Sequence, residues 1–140
     1  MSGTIRTFDE RVKRSIHEKI QRIAQGVAEA HGAQAEVVID PGVPVTFNNP
    51  GLTTRMVPTL RRVYGEDNVY MSGRITGAED FSFYQKEIPG FFFFIGGRPD
   101  SIPADEAIPN HSPYFYVDEA ALKPGVVAMT MLALDYLESR

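Results

Sequence analysis

Apolar residues near the start of the chain recur with the period of an α-helix. Five of them are spaced by three or four positions and share one helical face: Val12, Ile16, Ile20, Ile23 and Val27. Asp9 would cap this helix, and Gly32 would end it in a left-handed conformation. Residues 4–8 and 35–39 flank it with the composition of β-strands. The pattern predicts a β–α–β unit with two parallel strands.

A cluster of proline and glycine at residues 40–44 interrupts this pattern, so we place a domain boundary after residue 44. Beyond it the pattern predicts a helix at 50–64 and a strand at 68–71. A short helix follows, which Thr76 and Glu79 would cap and which ends at Lys86. The last two elements are a strand at 91–95 and a helical segment at 118–140 broken at Pro124-Gly125. The strand at 91–95 and the last helix are apolar on all sides and are expected to be buried. These elements predict an α/β fold.

Composition and charge narrow the range of functions. The 140 residues include no cysteine, which excludes disulfides, thiolate metal sites and cysteine nucleophiles. The net charge is −4, and the second half of the chain is the acidic half, so nucleic acid is not an expected partner. No uninterrupted apolar run approaches the length of a membrane span, and the first residues have no signal-peptide pattern. We therefore expect a cytoplasmic protein without a membrane partner.

His111 is the histidine best suited to a functional role. It lies in Asn110-His111-Ser112-Pro113, near the end of a long loop that follows the predicted strand at 91–95. Loops at strand ends of α/β sheets are where ligands collect, so His111 is a candidate metal ligand or catalytic residue. The alternative is a structural role in the turn. His17 and His31 have simpler interpretations, as a surface residue and as a cation at a helix C-terminus.

Two further features admit a structural and a functional interpretation. Glu79 and Asp80 precede a short predicted helix, where they would cap it and stabilise its dipole, or would instead orient a metal-bound histidine. Gly96 and Gly97 follow the predicted strand at 91–95, where they either turn the chain or let a ligand approach the backbone. The residues by themselves indicate an α/β protein with a weak sign of metal chemistry, and a small-ligand-binding domain is one alternative.

Five motifs occur in an order that resembles a known enzyme family. They are Gly3-Thr4-Ile5-Arg6-Thr7-Phe8, Gly77-Ala78-Glu79-Asp80-Phe81-Ser82, the run from Pro89 to Gly96, Asn110-His111-Ser112-Pro113, and Val117-Asp118-Glu119-Ala120-Ala121-Leu122. Through them the chain resembles, essentially from end to end, the C-terminal third of the zinc-dependent amidohydrolases. This metallopeptidase family includes aminoacylases, hippurate hydrolases and auxin-conjugate hydrolases.

The resemblance implies part of a two-domain enzyme. Residues 1–44 would be the final β–α–β half of a ferredoxin-like lid domain, through which the enzyme forms a homodimer. Residues 45–140 would be the C-terminal α/β part of the catalytic domain. The complete enzyme would hold a divalent metal, zinc, in a two-metal site and would cleave the amide bond of a small N-acyl amino acid or related amide.

The same resemblance implies roles for individual residues. His111 would be the last protein ligand of the metal site. Glu79 and Asp80 would lie at the edge of the cleft, and Asn48 and Gly96 would contact substrate.

The sequence departs from the family in one respect. In the family, the other metal ligands and a Glu-Glu pair that supplies the general base lie upstream, and this chain has no counterpart of those motifs. The resemblance therefore implies a truncated metal-dependent hydrolase that is inactive by itself, since a zinc site needs three or four ligands. The alternative is a non-catalytic dimerisation module derived from the same family.

Overall fold

The computed structural model describes residues 1–138. Helices account for all its regular secondary structure, and over this range there is no β-strand. The α-helices are α1 (Glu10–Ala30), α2 (Pro50–Tyr64), α3 (Phe81–Glu87) and α4 (Leu122–Glu138). Three short 3-10 turns accompany them, at Glu66–Asn68, Ala104–Glu106 and Glu119–Ala121.

The predicted α/β fold, with its β–α–β half-lid and α/β catalytic part, is therefore wrong for this structure. None of the segments 4–8, 35–39, 68–71 and 91–95 forms a strand within residues 1–138. A strand exists only when a neighbour completes its backbone hydrogen bonds, and β-propensity measures how well side chains fit such a sheet. These four segments have the side chains of strands, but the described residues supply no neighbour to complete a ladder.

Helix α1 has the boundaries that its sequence predicts. The Asp9 carboxylate accepts hydrogen bonds from the backbone N–H groups of Arg11 at 2.7 Å and Val12 at 3.1 Å. At the other end Gly32 has φ of 69°, and its N–H donates to Glu29 O at 2.9 Å while Ala33 N–H donates to Ala28 O at 2.8 Å. These two bonds form a Schellman motif. The apolar face of α1 is mostly exposed, since α1 buries none of its residues and Ile16 is half-buried.

Helix α2 also begins and ends as predicted. Asn49 is its N-cap and accepts from Leu52 N at 2.9 Å, Pro50 occupies the first helical position, and Gly65 ends the helix with φ of 89°. Pro58 lies inside the helix without ending it.

The pairing of α2 with α4 provides the buried core that the structure describes. Three residues of α2 are buried, namely Met56, Thr59 and Leu60, and two of α4 are, Gly125 and Ala128. Small residues on α4 lie at its closest contacts with neighbouring segments of the chain. A Cβ at Gly125 would lie 3.2 Å from Ile95 Cδ1, and Ala128 is fully buried.

A polar group also joins these two helices. Thr59 Oγ1 and the Arg62 guanidinium both donate to the Asp135 carboxylate. The Thr59 hydrogen bond, followed by that of Arg62, lowers the pKa of Asp135 below its ordinary value. The three side chains line part of a shallow pocket between the helices.

Helix α4 differs from its prediction in two ways. It runs through Pro124-Gly125 without a break, because a proline in the first turn removes an N–H that has no helical partner there. It is also mostly exposed rather than buried, with large apolar side chains such as Val126, Met129 and Leu137 open to solvent. Residues 139–140 of the predicted helix lie outside the described range.

Within residues 1–138, the stretch Glu119–Glu138 is long and apolar enough to cross a membrane by length and composition. Lys123 and Asp135 interrupt this stretch, so it contains no uninterrupted apolar run of that length. Core helices of soluble proteins pass the same test, so one such helix argues only weakly for a membrane.

The chain divides into two compact units, each made from two separate segments. The first unit contains Met1–Asn48 and Ser72–Gly90, and the second contains Asn49–Met71 and the chain from Phe91 onward. In the first unit, Arg6 donates to the backbone carbonyl of Thr76, which ties the segment before α1 to the segment before α3. The assignment of residues 1–44 to a lid and of 45–140 to a catalytic domain stays a prediction.

Candidate functional site

His111 occupies a turn in the second unit with an unusual backbone conformation. Its φ is 72°, the one positive φ of a non-glycine residue in the range 1–138. Ser112 N–H donates to Pro109 O at 3.3 Å, so residues 109–112 form a four-residue turn with His111 in its third position. A positive φ at this position is the mark of a type II turn, where glycine or asparagine is usual.

A second turn follows directly and holds Ser112. Its carbonyl accepts from Phe115 N at 3.1 Å, and its hydroxyl accepts from Tyr114 N at 3.2 Å. His111 is exposed between these bonded neighbours. Strained backbone conformations often occur at functional sites, where the surrounding structure holds them in place. The turn therefore presents an accessible imidazole, a common ligand of transition metals.

Thr76 and Glu79 do not form the capping box that the sequence predicts. Helix α3 begins at Phe81, and Asp80 at its N-cap position has α-helical dihedral angles and makes no side-chain capping bond within the described residues. The turn before α3 is closed instead by Ser82, whose hydroxyl donates to Glu79 O at 2.6 Å and whose side chain is fully buried. The Asp80 side chain is exposed and makes no capping bond, and the Glu79 side chain is half-buried.

Asn48 is linked to the same helix. Phe47 N–H donates to Gln85 Oε1 at 2.9 Å, and Gln85 Nε2 donates to Asn48 Oδ1 at 3.3 Å. The amide of one α3 residue thus contacts both the backbone at Phe47 and the side chain of Asn48. Sequence reasoning missed Gln85, because a glutamine in the last turn of a short helix gives no signal of a distant partner.

The two glycines after residue 95 have different surroundings. A Cβ at Gly97 would lie 2.9 Å from Val117 Cγ1, and the Gly97 carbonyl accepts from Asp118 N at 2.8 Å. Gly97 therefore makes a close contact between two chain segments. Around Gly96 there is no heavy atom of the described residues within 4 Å of a Cβ position, so the backbone there is open to approach.

The described residues do not form a metal centre by themselves. Across residues 1–138 there is no group of three or more His, Asp or Glu side chains placed to hold a metal ion. His31 has the structural role expected of it, since its Nδ1 lies 2.9 Å from Val27 O at the end of α1. The chain thus supplies single candidate donors, of which His111 is an exposed histidine in a loop turn.

The amino-acid sequence of this chain matches a known protein family. The model of peptidase family M20/M25/M40 matches residues 4–135, which is nearly the whole chain. The chain belongs to this family. The resemblance to metallopeptidase amidohydrolases that the sequence motifs indicated is confirmed.

Relatives within peptidase family M20/M25/M40 include enzymes with different names. The chain is 36% identical over 137 residues to thermostable carboxypeptidase 2 of Saccharolobus solfataricus, covering 97% of this chain and 34% of that protein. It is 33% identical to N-acetylcysteine deacetylase of Bacillus subtilis, covering 99% of this chain and 34% of that protein. It is 28% identical to IAA-amino acid hydrolase ILR1-like 6 of Arabidopsis thaliana, covering 100% of this chain and 31% of that protein.

The chain spans about a third of the length of the curated M20/M25/M40 relatives that it matches. No solved structure gives a significant match.

Proposed function

We propose that this chain is the C-terminal part of a metal-dependent hydrolase that cleaves the amide bond of N-acyl amino acids or related small amides. The family match over residues 4–135 carries the proposal. It is supported by relatives named as a carboxypeptidase, a deacetylase of N-acetylcysteine and a hydrolase of IAA-amino acids, since each of these names describes cleavage of an amide bond next to an amino acid.

His111 is the proposed metal ligand. Members of the family generally use divalent metals, and zinc is the metal we propose. The exposed imidazole in a strained turn supports this role. The described residues offer too few donors at one place to fit a complete centre, so the remaining ligands and the general base belong, in this proposal, to other parts of the enzyme.

The other predicted site residues have proposed roles in binding rather than in chemistry. Asn48 would donate or accept a hydrogen bond with the amide or carboxylate of the substrate. Gly96 would let the substrate approach the backbone, which the open space around it supports. Glu79 and Asp80 would supply negative charge at the cleft edge, and the exposed Asp80 carboxylate, which makes no capping bond, supports this role.

A chimera tests the proposed function directly. This chain would replace the matching third of the Bacillus subtilis N-acetylcysteine deacetylase, and hydrolysis of N-acetylcysteine and bound metal would both be measured. We expect activity and metal in the chimera, and neither in the 140-residue chain by itself. In the chimera, His111→Ala should lower both, while His17→Ala on α1 should lower neither. Chelator-sensitive turnover by the chain alone would contradict the assignment of the missing ligands to other parts of the enzyme.

The second candidate function is a non-catalytic dimerisation module. The observation that favours it is the exposed apolar face of α1, where Ile23 is 60% exposed and Val27 56%. Such a face on a surface helix is typical of a surface that binds another protein. In both functions the proposed location is the cytoplasm, without nucleic acid or membrane. In the first function the proposed partners are a small substrate and a second copy of the chain, and in the second the partner is that copy. Light scattering on the purified chain tests this, because a strict monomer at high concentration would contradict self-association through α1.

A further inference from the structure

The side chain of Gln85 has a more defined environment than its position on a short surface helix suggests. Its oxygen accepts from the backbone N–H of Phe47, and its nitrogen donates to the Asn48 side-chain oxygen. Both groups of the amide are therefore used, on two adjacent residues that lie 37 and 38 positions away in the chain. A primary amide is suited to this arrangement, because it has an acceptor oxygen and a donor nitrogen side by side.

Gly90 makes room for this side chain. A Cβ at Gly90 would lie 2.5 Å from Gln85 Cγ and 3.1 Å from its Nε2, and Gly90 is buried. The φ of Gly90 is not in the left-handed region, so its backbone does not require glycine. The absence of a side chain at Gly90 thus has a steric reason, which is the space occupied by the Gln85 stem.

We propose that Gln85 is a positioning residue that holds Asn48 in a fixed orientation. Gly90 has no side chain in this proposal so that the Gln85 side chain has room to reach Asn48. Because Gln85 donates to the Asn48 oxygen, it favours the orientation in which that oxygen faces α3. The proposal rests on the proposed function in one respect, namely that Asn48 contacts substrate. Helix α3, for which no substrate contact is proposed, would then control the orientation of Asn48 through Gln85.

Amide hydrogen exchange and side-chain NMR on the full 140-residue chain test the positioning. In Gln85→Met, which keeps the length and removes both hydrogen bonds, we expect Phe47 N–H to exchange on the order of fivefold faster and the Asn48 side-chain signals to shift. In Gln85→Glu, the carboxylate still accepts from Phe47 but no longer donates to Asn48. Phe47 protection should then be kept while the Asn48 signals shift. Lys86→Met, on the neighbouring exposed residue, should change neither.

A double-mutant cycle tests the role of Gly90. Gly90→Ala should displace Gln85 and so speed Phe47 exchange by about as much as Gln85→Met does. In a Gln85→Ala background the clash is gone, and Gly90→Ala should add less than about twofold. Additive effects, or Phe47 exchange that Gln85→Met leaves unchanged, would overturn the proposal.

Kinetics in the deacetylase chimera separate this inference from the proposed function. Gln85→Glu should raise KM more than it lowers kcat, because it misorients a substrate contact without removing it. If the exchange results hold and the chimera is inactive with wild-type sequence, the proposed function fails and the positioning of Asn48 stands. If the chimera is active and Gln85→Glu changes neither KM nor the Asn48 signals, the positioning role is wrong.

Discussion

Helix α1 and the α2–α4 pair show two ways in which a helix can be specified. In α1 the signals are local, with a carboxylate cap at Asp9 and a Schellman motif at Gly32, and no residue of the helix is fully buried. In the α2–α4 pair the helices bury Leu60 and Ala128 against each other and share the Asp135 carboxylate. Capping signals therefore determine where a helix begins and ends, whereas stability against unfolding depends on what covers its apolar face.

The largest expected difference is between buried and exposed leucine-sized side chains. Leu60→Ala should destabilise the chain by about 3 kcal/mol. The leucine is only 5% exposed, so its removal leaves a cavity in the core. Ile23→Ala on α1 should cost less than about 0.5 kcal/mol, since that side chain is 60% exposed. Urea titrations of both variants measure this. Equal losses would show that α1 is covered in solution by another surface, as self-association would require.

Cap substitutions should cost the same in both regions, since capping is local. Asn49→Ala removes the side-chain acceptor at the start of α2, and Gly32→Ala forces a Cβ into a left-handed conformation at the end of α1. We expect each to cost about 1 kcal/mol. Circular dichroism melts compare them. A much larger cost for Asn49→Ala would mean that the cap supports the α2–α4 contact as well as its own helix.

The stability of the α2–α4 pair should decrease at acid pH. The folded-state pKa of Asp135 is lowered, chiefly by the Thr59 hydrogen bond, so its carboxylate adds stability above the ordinary value of 3.8. That contribution is lost as pH falls through the folded-state pKa. Unfolding measured between pH 5 and pH 2 should show this loss, and Thr59→Val should weaken the pH dependence by removing the principal donor. An unchanged dependence in Thr59→Val would mean that other carboxylates dominate the acid limb.

The smallest expected effect lies in the turn at His111. Because its φ is 72°, His111→Gly should be more stable than His111→Ala by about 0.5–1 kcal/mol, as alanine pays for the left-handed conformation and glycine does not. Thermal melts of the two variants decide this. Equal melting temperatures would indicate that the turn relaxes when the imidazole is removed, and hence that the side chain holds the strained conformation.

The family and the helix ends could be read from the sequence, because both depend on residues close together in the chain. The helix-end residues act on backbone groups within a few positions, so their effects do not depend on how the rest of the chain folds. They are Asp9, Gly32, Asn49 and Gly65. The position of His111 in a loop could also be predicted from the motif around it. Its left-handed conformation came only from the structure, since histidine is not the residue that such a turn usually selects.

The tertiary structure decided what depends on distant partners. Residues 91–95 have strand-like side chains, but a strand needs a neighbouring backbone, and the described residues form no ladder there. Helix α4 is apolar nearly all round, yet its burial depends on which surfaces lie against it, and only Gly125 and Ala128 are buried. Gln85 and Asp135 look like ordinary surface residues in the sequence. Their hydrogen bonds reach residues 37 to 76 positions away, a separation that no local pattern records.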